Sequence, residues 1–408
     1  MFIPNFIYKY KKKIKFPVYN VRKKKWKFLL FFIDFFLYIF IKKTKNNNFY
    51  SSNLSHSKSV KKILLCNGAH IGDVLISANV IPLLQHNNPN IEIGFLGGSW
   101  SVNALNEYDN IKHVHIVDHW MLNRSNLSIF KKIKQYYNTR KKVIKEIKNI
   151  GYDAAVDMYY FMPNNAMLIW QAGIPMRISY DSAGFSSFLT DVVKWEEKKQ
   201  HIVNYNLTLF KKLSFNLPER ITAYNKLFIS SQDINNIKII LDNFNINFGD
   251  YIVVHPGTGL KAKKWIFAKW ISLIQRLIEK KENIVITGYG KNECVETAEI
   301  ASKVRGHVIN LCDNISFQDF VALVSKAKAI ISVDSVASHI GAMTNIPTVC
   351  IFSGIPNYFF WSPIGEKTKV IHLDIPCSPC YKREGCEKMD CLNNINVNLV
   401  IDTLYNIL

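Results

Sequence analysis

From residue 61 onward, short apolar runs rich in β-branched residues alternate with longer stretches of helical spacing. The runs predict strands in two sets, at 63–66, 91–96, 114–117 and 154–157, then at 251–254, 283–287, 308–311, 329–333 and 348–352. The stretches between them predict helices near 73–86, 126–149, 264–281, 292–304, 316–327 and 335–345. This alternation, with nearly continuous apolar strands, indicates parallel sheets covered on both faces. The predicted fold class is therefore α/β, with two doubly wound domains facing each other.

A polar region around residues 230–250 separates the two sets of strands. We predict an arm and linker over residues 1–60, a first Rossmann-like domain over 61–245 and a second over 246–408. The second domain ends in a cysteine cluster and a closing helix. In doubly wound sheets ligands bind at the carboxyl ends of the strands, so the loops after each strand are the places to search for chemistry.

Most of the net charge of +21 lies in the N-terminal arm. Residues 1–62 contain 16 Lys/Arg and one acid, Asp34, whereas residues 63–408 contain 36 basic and 30 acidic residues. The apolar block 28–41 lies between lysine clusters, and as a helix it spans about 21 Å, short of the roughly 30 Å hydrocarbon core. We predict an interfacial anchor on anionic lipid, with a tilted single span and a helix packed on the protein's own body as alternatives. The lysines neighbour runs of Phe and Leu rather than spaced stacking aromatics, which disfavours a nucleic-acid partner.

The loop after the first strand reads Asn67-Gly-Ala-His-Ile-Gly-Asp-Val74 and leads into a helix. Its glycines allow a tight turn and a close approach of a ligand to the backbone. Asp73 falls in the first helical turn, where a carboxylate also complements the helix dipole without any chemistry. Because the glycine spacing differs from G-x-G-x-x-G, the loop gives no support to a nicotinamide-dependent enzyme.

The first loop of the second set reads His255-Pro-Gly-Thr-Gly-Leu-Lys-Ala-Lys-Lys-Trp265. A Gly/Thr loop that runs into a helix N-terminus beside lysines suits a phosphate group, although a plain turn with solvated lysines has the same composition. The loop is not a Walker loop, because the G-K-[ST] ending is missing.

Two further strand ends carry polar side chains. Glu293 follows the strand at 283–287, where it either binds ribose hydroxyls or occupies the first turn of its own helix. The strand at 329–333 ends in a cluster whose helix-terminal N–H groups suit a diphosphate: Asp334, Ser335, Ser338 and His339. A histidine on a helix is also commonly a packing residue.

These loops occur together, and in the same order as in glycosyltransferase family 9, the ADP-heptose:lipopolysaccharide heptosyltransferases. The chain resembles this family over about residues 61–405. The opening unit is similar through His70-Ile-Gly-Asp-Val74 and Pro82. The donor-phosphate loop is similar through His255-Pro-Gly-Thr-Gly, Lys263-Lys-Trp265 and Trp270. The later segments are similar at Thr287-Gly with Glu293, Asp334-Ser-x-x-x-His339, Pro347-Thr348, Phe352-Ser-Gly and Trp361-x-Pro363.

The resemblance implies a GT-B fold in which the first domain holds the acceptor and the second holds a nucleotide-sugar donor. It implies an inverting transfer with Asp73 as general base and Lys263 stabilising the leaving nucleoside diphosphate. It assigns the donor to Thr258, Gly259, Glu293, Asp334, Ser335 and His339, with Glu293 at the ribose. It assigns the acceptor-side loop to His70 and Gly72. It implies no cofactor for catalysis, because lysine and helix dipoles take the place of a metal ion.

The chain departs from the family pattern at two loops. Val336 stands where the family usually has glycine, which leaves the identity of the donor sugar open. Asn67-Gly-Ala69 stands where an arginine and an acidic residue commonly precede His-Ile-Gly-Asp, which alters the expected acceptor contacts.

Four cysteines lie close together near the C-terminus, at Cys377, Cys380, Cys386 and Cys391. Four thiols within 15 residues suit a tetrahedral structural zinc site, although the second pair lacks C-x2-C spacing. Disulfides and free structural thiols are the alternatives. Four other cysteines fall in or beside predicted strands and helices and are expected to be small core residues: Cys66, Cys294, Cys312 and Cys350.

The resemblance implies a glycosyltransferase, and the basic, apolar arm places it on the inner face of the cytoplasmic membrane, held there through residues 1–45. Its expected partners are a nucleotide-sugar donor and an anionic lipid-linked saccharide, with heptose from ADP-heptose as the leading donor. The alternatives are another nucleotide sugar, an inactive scaffold and, more distantly, a nucleic-acid-binding protein that uses the basic arm.

Overall fold

A computed structural model of the chain describes residues 19, 24–44, 60–108, 110–162, 165–213 and 215–408. They form two compact units. The first unit comprises the chain up to Lys198 together with Val203–Glu219, and the second comprises Lys199–Ile202 and Arg220–Leu408.

The first unit contains six strands: β1 (Lys62–Cys66), β2 (Glu92–Gly97), β3 (Ile111–Ile116), β4 (Ala154–Asp157), β5 (Met176–Tyr180) and β6 (Asp191–Val193). Its helices are α1 (Lys24–Thr44), α2 (Ile71–Ala78), α3 (Ile81–Asn87), α4 (Ile129–Ile150), α5 (Ala166–Gln171) and α6 (Ile202–Phe210), whose first residue belongs to the second unit. Short 3-10 turns lie at Val102–Glu107, Asp181–Ala183, Ser186–Phe188 and Lys211–Leu213. The strands are parallel in the order β3-β2-β1-β4-β5-β6, so the order reverses between β1 and β4.

The second unit contains β7 (Tyr251–His255), β8 (Asn283–Ile286), β9 (Val308–Asn310), β10 (Ala329–Val333), β11 (Thr348–Phe352) and β12 (Thr368–His372). Its helices are α7 (Ser231–Asp242), α8 (Phe267–Glu279), α9 (Lys291–Lys303), α10 (Phe317–Ser325), α11 (Val336–Met343), α12 (Tyr358–Trp361), α13 (Asp390–Asn393) and α14 (Val397–Tyr405). A 3-10 turn lies at Lys261–Lys263. The parallel order β12-β11-β10-β7-β8-β9 reverses between β7 and β10. The α/β class predicted from the alternation is confirmed.

The structure differs from the predicted elements at several places, two of which concern helices. The helix predicted over 73–86 is two helices, α2 and α3, because Pro82 cannot continue a helix and instead lies in the first turn of α3. Residues 231–242, predicted to belong to a polar separator, form α7. This helix buries Ile237 and Leu241, and its Asn236 Nδ2 donates to Asp319 Oδ1 of α10 at 3.0 Å. Residues 220–245 therefore belong to the second unit rather than to the first.

Helix α1 packs on the first unit through one side. Leu30, Asp34 and Leu37 recur at a helical spacing of four and three residues; Leu30 and Asp34 are buried, and Leu37 packs against the core of the unit. The Asp34 carboxylate accepts hydrogen bonds from the Tyr19 hydroxyl and from the Phe185 N–H. Large apolar side chains on the rest of the helix are exposed: Trp26, Phe28, Leu29, Phe32, Ile33, Phe36 and Ile39. None of the described helices is both long enough and apolar enough to cross a bilayer.

Stability should depend on the protonation of Asp34. Burial raises its pKa to about 6, and the hydrogen bonds from Tyr19 and Phe185 only partly oppose that rise. The folded protein therefore binds more protons than the unfolded chain between about pH 4 and pH 6. The stabilisation from protonated Asp34 is complete below that interval and is lost as the pH rises through it. In urea unfolding we expect this residue to contribute a fall of roughly 3 kcal/mol in the free energy of unfolding as the pH rises through this interval.

The variant Asp34→Asn is the matched control for this pH dependence. An amide still accepts from the Phe185 N–H and can donate to the Tyr19 oxygen, but it does not titrate. Asp157, whose pKa is also raised by burial to about 6, titrates with the same sign, so the dependence should be reduced rather than abolished. An unchanged stability profile in Asp34→Asn would contradict the assignment.

Candidate active site

In the first unit, the loop between β1 and α2 is fixed from two sides. Asn67 Oδ1 accepts the Ala69 N–H at 3.0 Å, and Asn67 Nδ2 donates to Ser77 Oγ of α2 at 2.7 Å. From the segment after β2, Trp100 Nε1 donates to the Ala69 carbonyl at 2.8 Å. Because β1 borders the position where the strand order reverses, this rigid loop lies where doubly wound sheets bind ligands.

The acceptor-side residues predicted from the sequence lie together at this loop. His70 precedes α2, Gly72 lies in its first turn, and Asp73 is its third residue. The half-buried Asp73 accepts the His70 N–H on Oδ2 at 3.3 Å and forms a capping box with His70. Asp73 therefore has the helix-capping role that its position suggested, and that hydrogen bond also orients its carboxylate.

In the second unit, the loops after β7 and β10 meet where the strand order reverses. Lys263 Nζ lies 2.7 Å from Asp334 Oδ2, and Thr258 Oγ1 donates to the Asp334 carbonyl at 3.3 Å. Asp334 is buried, whereas the Lys263 side chain is 21% exposed. An ammonium group has three N–H donors, so Lys263 is able to keep its ion pair and still donate to a ligand.

Glu293 connects the loops after β7 and β8. Its carboxylate accepts the Tyr289 N–H at 2.9 Å and also a backbone hydrogen bond from Thr258. It lies so close to Gly257 that a Cβ at that position would overlap it. Burial raises the pKa of Glu293, whereas the backbone hydrogen bonds and the positive charge of Lys264 act in the opposite direction. Glu293 thus lies in the first turn of α9 and also against the Gly/Thr loop.

Helix α11 begins directly after Asp334, with Ser335 at its N-cap. The Ser335 side chain makes no capping hydrogen bond, and its buried Oγ has no hydrogen-bond partner among the described residues. The first N–H groups of a helix lack partners within the helix and attract anions. Helix N–H groups, a buried hydroxyl and the nearby Lys263 together suit a phosphate group. Gly259, the remaining donor-side glycine, lies in the loop after β7.

His339 is linked to two residues that lie outside the sequence motifs. The Tyr224 hydroxyl lies 3.0 Å from His339 Nδ1 and 3.1 Å from His201 Nε2. Burial lowers the pKa of His339 to about 4 and that of His201 to about 3, so both rings are neutral near pH 7. The Tyr224 hydroxyl has one proton and donates it to a nitrogen of one of the two rings. The other ring must therefore donate its own N–H to the tyrosine oxygen. No local pattern marks Tyr224 and His201, because they come together only through tertiary structure.

Residues 140–390, more than half of the chain, match the model of glycosyltransferase family 9 (heptosyltransferase). The chain belongs to glycosyltransferase family 9. A putative glycosyltransferase of Haemophilus influenzae is 23% identical over 337 residues, which cover 79% of this chain and 91% of that protein. Lipopolysaccharide heptosyltransferase 3 of Escherichia coli is 24% identical over 300 residues, which cover 72% of this chain and 83% of that protein.

Two solved structures share the fold of this family 9 glycosyltransferase. E. coli ADP-heptose LPS heptosyltransferase II superimposes with a TM-score of 0.67 at 20% identity, covering 85% of this chain and 98% of that one. A family 9 glycosyl transferase from Veillonella parvula gives a TM-score of 0.71 at 16% identity, covering 86% and 98%. The predicted GT-B fold is confirmed.

The structure does not support the zinc site suggested for the cysteine cluster. Among the described residues, which include all four of these cysteines, no three His, Cys, Asp or Glu side chains are placed to hold a metal ion. Cys377 and Cys386 are exposed, whereas Cys391 is buried in the hydrophobic core of the second unit. Burial raises the pKa of the Cys391 thiol.

Cys294 and Cys312, expected to be small core residues, are instead joined in a disulfide with their Cα atoms 5.3 Å apart. Cys294 follows Glu293 in the first turn of α9, and Cys312 comes shortly after β9. Spacing gave no signal for this pair, because the two residues are 18 apart and approach each other only when β8 and β9 pair. Cys66 and Cys350 are buried free cysteines, as predicted.

Proposed function

We propose that this glycosyltransferase moves a sugar with inversion, most simply heptose from ADP-heptose, to a lipopolysaccharide core or a related lipid-linked saccharide. One observation carries the proposal: Lys263 and Thr258 both contact Asp334, and the next residue, Ser335 at the N-cap of α11, has a buried hydroxyl with no hydrogen-bond partner among the described residues. This arrangement offers a cation and N–H and O–H donors to a diphosphate. The relatives named lipopolysaccharide heptosyltransferases support heptose as the sugar.

In this proposal the second unit holds the donor. Lys263 meets the negative charge that grows on the leaving diphosphate, while Ser335 and the α11 amides bind its oxygens. The loop at Thr258 and Gly259 forms the other side of the phosphate site. Glu293 accepts hydrogen bonds from the ribose hydroxyls, and its hydrogen bond from the Thr258 backbone supports this role beside the proposed phosphate site. His339 belongs to the same helix and is neutral. Its hydrogen bond with the Tyr224 hydroxyl helps to hold the start of the helix in position.

We assign the general base to Asp73 in the acceptor-holding first unit, next to His70 and Gly72. The acceptor oxygen forms a bond to the anomeric carbon as the bond from that carbon to the diphosphate oxygen breaks. The hydroxyl proton passes to Asp73, and the electron pair of the broken bond leaves with the nucleoside diphosphate. The hydrogen bond from the His70 N–H orients the carboxylate for this step.

The proposed transfer needs no metal ion or other cofactor. The role that a divalent cation has at a leaving diphosphate is filled here by the Lys263 ammonium and by the N–H groups of α11. The proposal rests on these positive groups and on their position in the loops that follow β7 and β10.

We further propose that the protein works in the cytoplasm, bound peripherally to the inner face of the cytoplasmic membrane through residues 1–45. The support is the exposed apolar side of α1, which lies between the lysines that precede and follow it in the sequence. A lipid-linked acceptor is held at such a surface, so anchoring raises its local concentration.

The proposal is tested by incubating the purified protein with ADP-heptose and a lipid A–core acceptor. We expect acceptor-dependent release of ADP and an acceptor mass increased by one heptose residue. UDP- and GDP-linked sugars in parallel reactions test the alternative donor, which Val336 at the start of α11 leaves open. A folded protein that binds no nucleotide sugar would contradict the proposal and favour the scaffold.

A further inference from the structure

Helix α4 is unusually basic. Its 22 residues contain eight Lys or Arg and a single acid, Glu146, which pairs with Lys142. In the part of the chain that the structure describes, the remaining exposed lysines of this helix have no carboxylate within ion-pair distance: Lys131, Lys134, Lys141, Lys145 and Lys148. These charges are therefore available to an anionic partner.

The same helix exposes large apolar side chains among its lysines. Phe130, Ile133 and Tyr137 recur at a spacing of three and four residues, and Phe130 is 81% exposed and Tyr137 65%. Val143 and Ile147, about a quarter turn round the helix from this stripe, pack on the sheet. A helix with an apolar, aromatic stripe bordered by unpaired lysines has the composition of interfacial membrane helices.

Helix α4 lies in the same layer as α1. One core cluster on a single face of the first sheet contains Leu64 and Cys66 of β1 together with Val143 and Ile147 of α4, and Leu37 of α1 packs against it. Side chains two residues apart on a strand point to the same face, so both helices cover that face of the sheet. The buried Asp34 holds α1 to this layer through Phe185.

We infer that α4 is a second lipid-contact surface and that α1 and α4 bind the same anionic bilayer. Unpaired lysines attract the headgroups, and the aromatic rings enter the boundary between headgroups and acyl chains. A second copy of the chain is a poorer partner for this surface, because two strongly basic helices repel each other. Nucleic acid is also a poorer partner, because the aromatic side chains form one apolar stripe rather than a series of stacking positions along a groove.

The inference rests on the proposed lipid-linked acceptor, but its test needs neither donor nor acceptor. The full-length protein is mixed with vesicles of phosphatidylethanolamine and phosphatidylglycerol, or of phosphatidylcholine alone, and vesicle-bound protein is measured by flotation at low and high salt. The variants are Phe130→Ser/Tyr137→Ser and Lys141→Gln/Lys145→Gln on α4. The matched control is Lys238→Gln/Ile239→Ser on α7, where both side chains are likewise exposed.

We expect wild-type binding to require phosphatidylglycerol and to fall with salt. Each lysine removed should weaken binding about fivefold, and the aromatic pair about tenfold or more, with the control unchanged. Because the substituted side chains are exposed, the variants should fold normally, and circular dichroism with thermal unfolding verifies this for each one. Binding by both α4 variants within twofold of wild type would overturn the inference. The inference would also be overturned if the wild-type protein bound RNA or self-associated but did not float with vesicles.

The vesicle experiment and the transfer assay can contradict the membrane surface and the proposed function independently of each other. If the α4 variants lose vesicle binding but the wild-type protein transfers no sugar, the membrane surface stands and the proposed function fails. If wild-type protein transfers sugar and the α4 variants bind vesicles normally, the function stands and this surface fails.

Discussion

Asp73→Asn should lower kcat by about 10²- to 10⁴-fold, the usual contribution of a general base, while the dissociation constant for the donor stays near the wild-type value. The asparagine oxygen still accepts the His70 N–H, so α2 keeps its cap, but an amide cannot take the acceptor proton. Steady-state assays of ADP release give kcat, and calorimetric titration with the nucleotide sugar gives the donor affinity.

The control for this variant is Asp319→Asn in the second unit. Asp319 forms the equivalent capping box with Ser316 at the start of α10 and also accepts a hydrogen bond from Asn236, so Asp319→Asn reports the effect of the same carboxylate-to-amide change at a helix cap that lies outside the proposed site. We expect a small loss of stability and an unchanged kcat. A near wild-type rate in Asp73→Asn would remove Asp73 as the base and leave it as a capping residue.

Lys263→Gln should lower kcat/KM by about 10²- to 10³-fold, because the positive charge closest to the proposed leaving group is lost. It should also lower the free energy of unfolding by about 3 kcal/mol, because Asp334 is then left buried without its ion-pair partner. The double variant Lys263→Gln/Asp334→Asn should recover most of the stability but not the activity. This split separates the catalytic role of Lys263 from its structural role.

Lys264 provides a neighbouring control for Lys263. It pairs with Glu296 of α9 rather than with Asp334, so Lys264→Gln removes the same charge one position further along the chain. We expect activity within about threefold of wild type, the range of a partly exposed ion pair. Equal losses of activity in Lys263→Gln and Lys264→Gln would show that only the general basicity of the loop matters, and would contradict the specific assignment.

The strands that the sequence predicts most clearly are the buried ones with an almost wholly apolar composition. β10 and β11 consist mainly of apolar side chains, and every one of their residues is buried. β5 was missed because Arg177 interrupts its apolar pattern. In the structure that arginine is buried, since its Nε donates to the Phe188 carbonyl and a guanidinium nitrogen donates to the Pro175 carbonyl. The Phe188 carbonyl belongs to a separate segment, so no local pattern reveals this partner.

The candidate site also combines features that the sequence predicted with contacts that only the structure reveals. Position at a strand end and residue type are local features, and they mark Asp73, Asp334 and the lysines of the 255–265 loop as candidates; the family resemblance then selected Asp73 as the base and Lys263 among the lysines. The ion pair between Lys263 and Asp334 is not visible in the sequence, because 71 positions separate two side chains that meet only when β7 and β10 become neighbours. The bridge from His201 through Tyr224 to His339 was missed for the same reason.

The sequence by itself determined the α/β class, the two sets of strands and the loops in which polar chemistry follows a buried strand. It did so because apolar periodicity and the position of glycines are local properties. Tertiary structure alone decided that Cys294 pairs with Cys312, that Cys391 is buried whereas Cys377 and Cys386 are exposed, and that α1 is fixed through Asp34. Each of these depends on which distant segments the sheets and helices bring together, and burial then sets the hydrogen bonds, charges and proton affinities of the groups that meet.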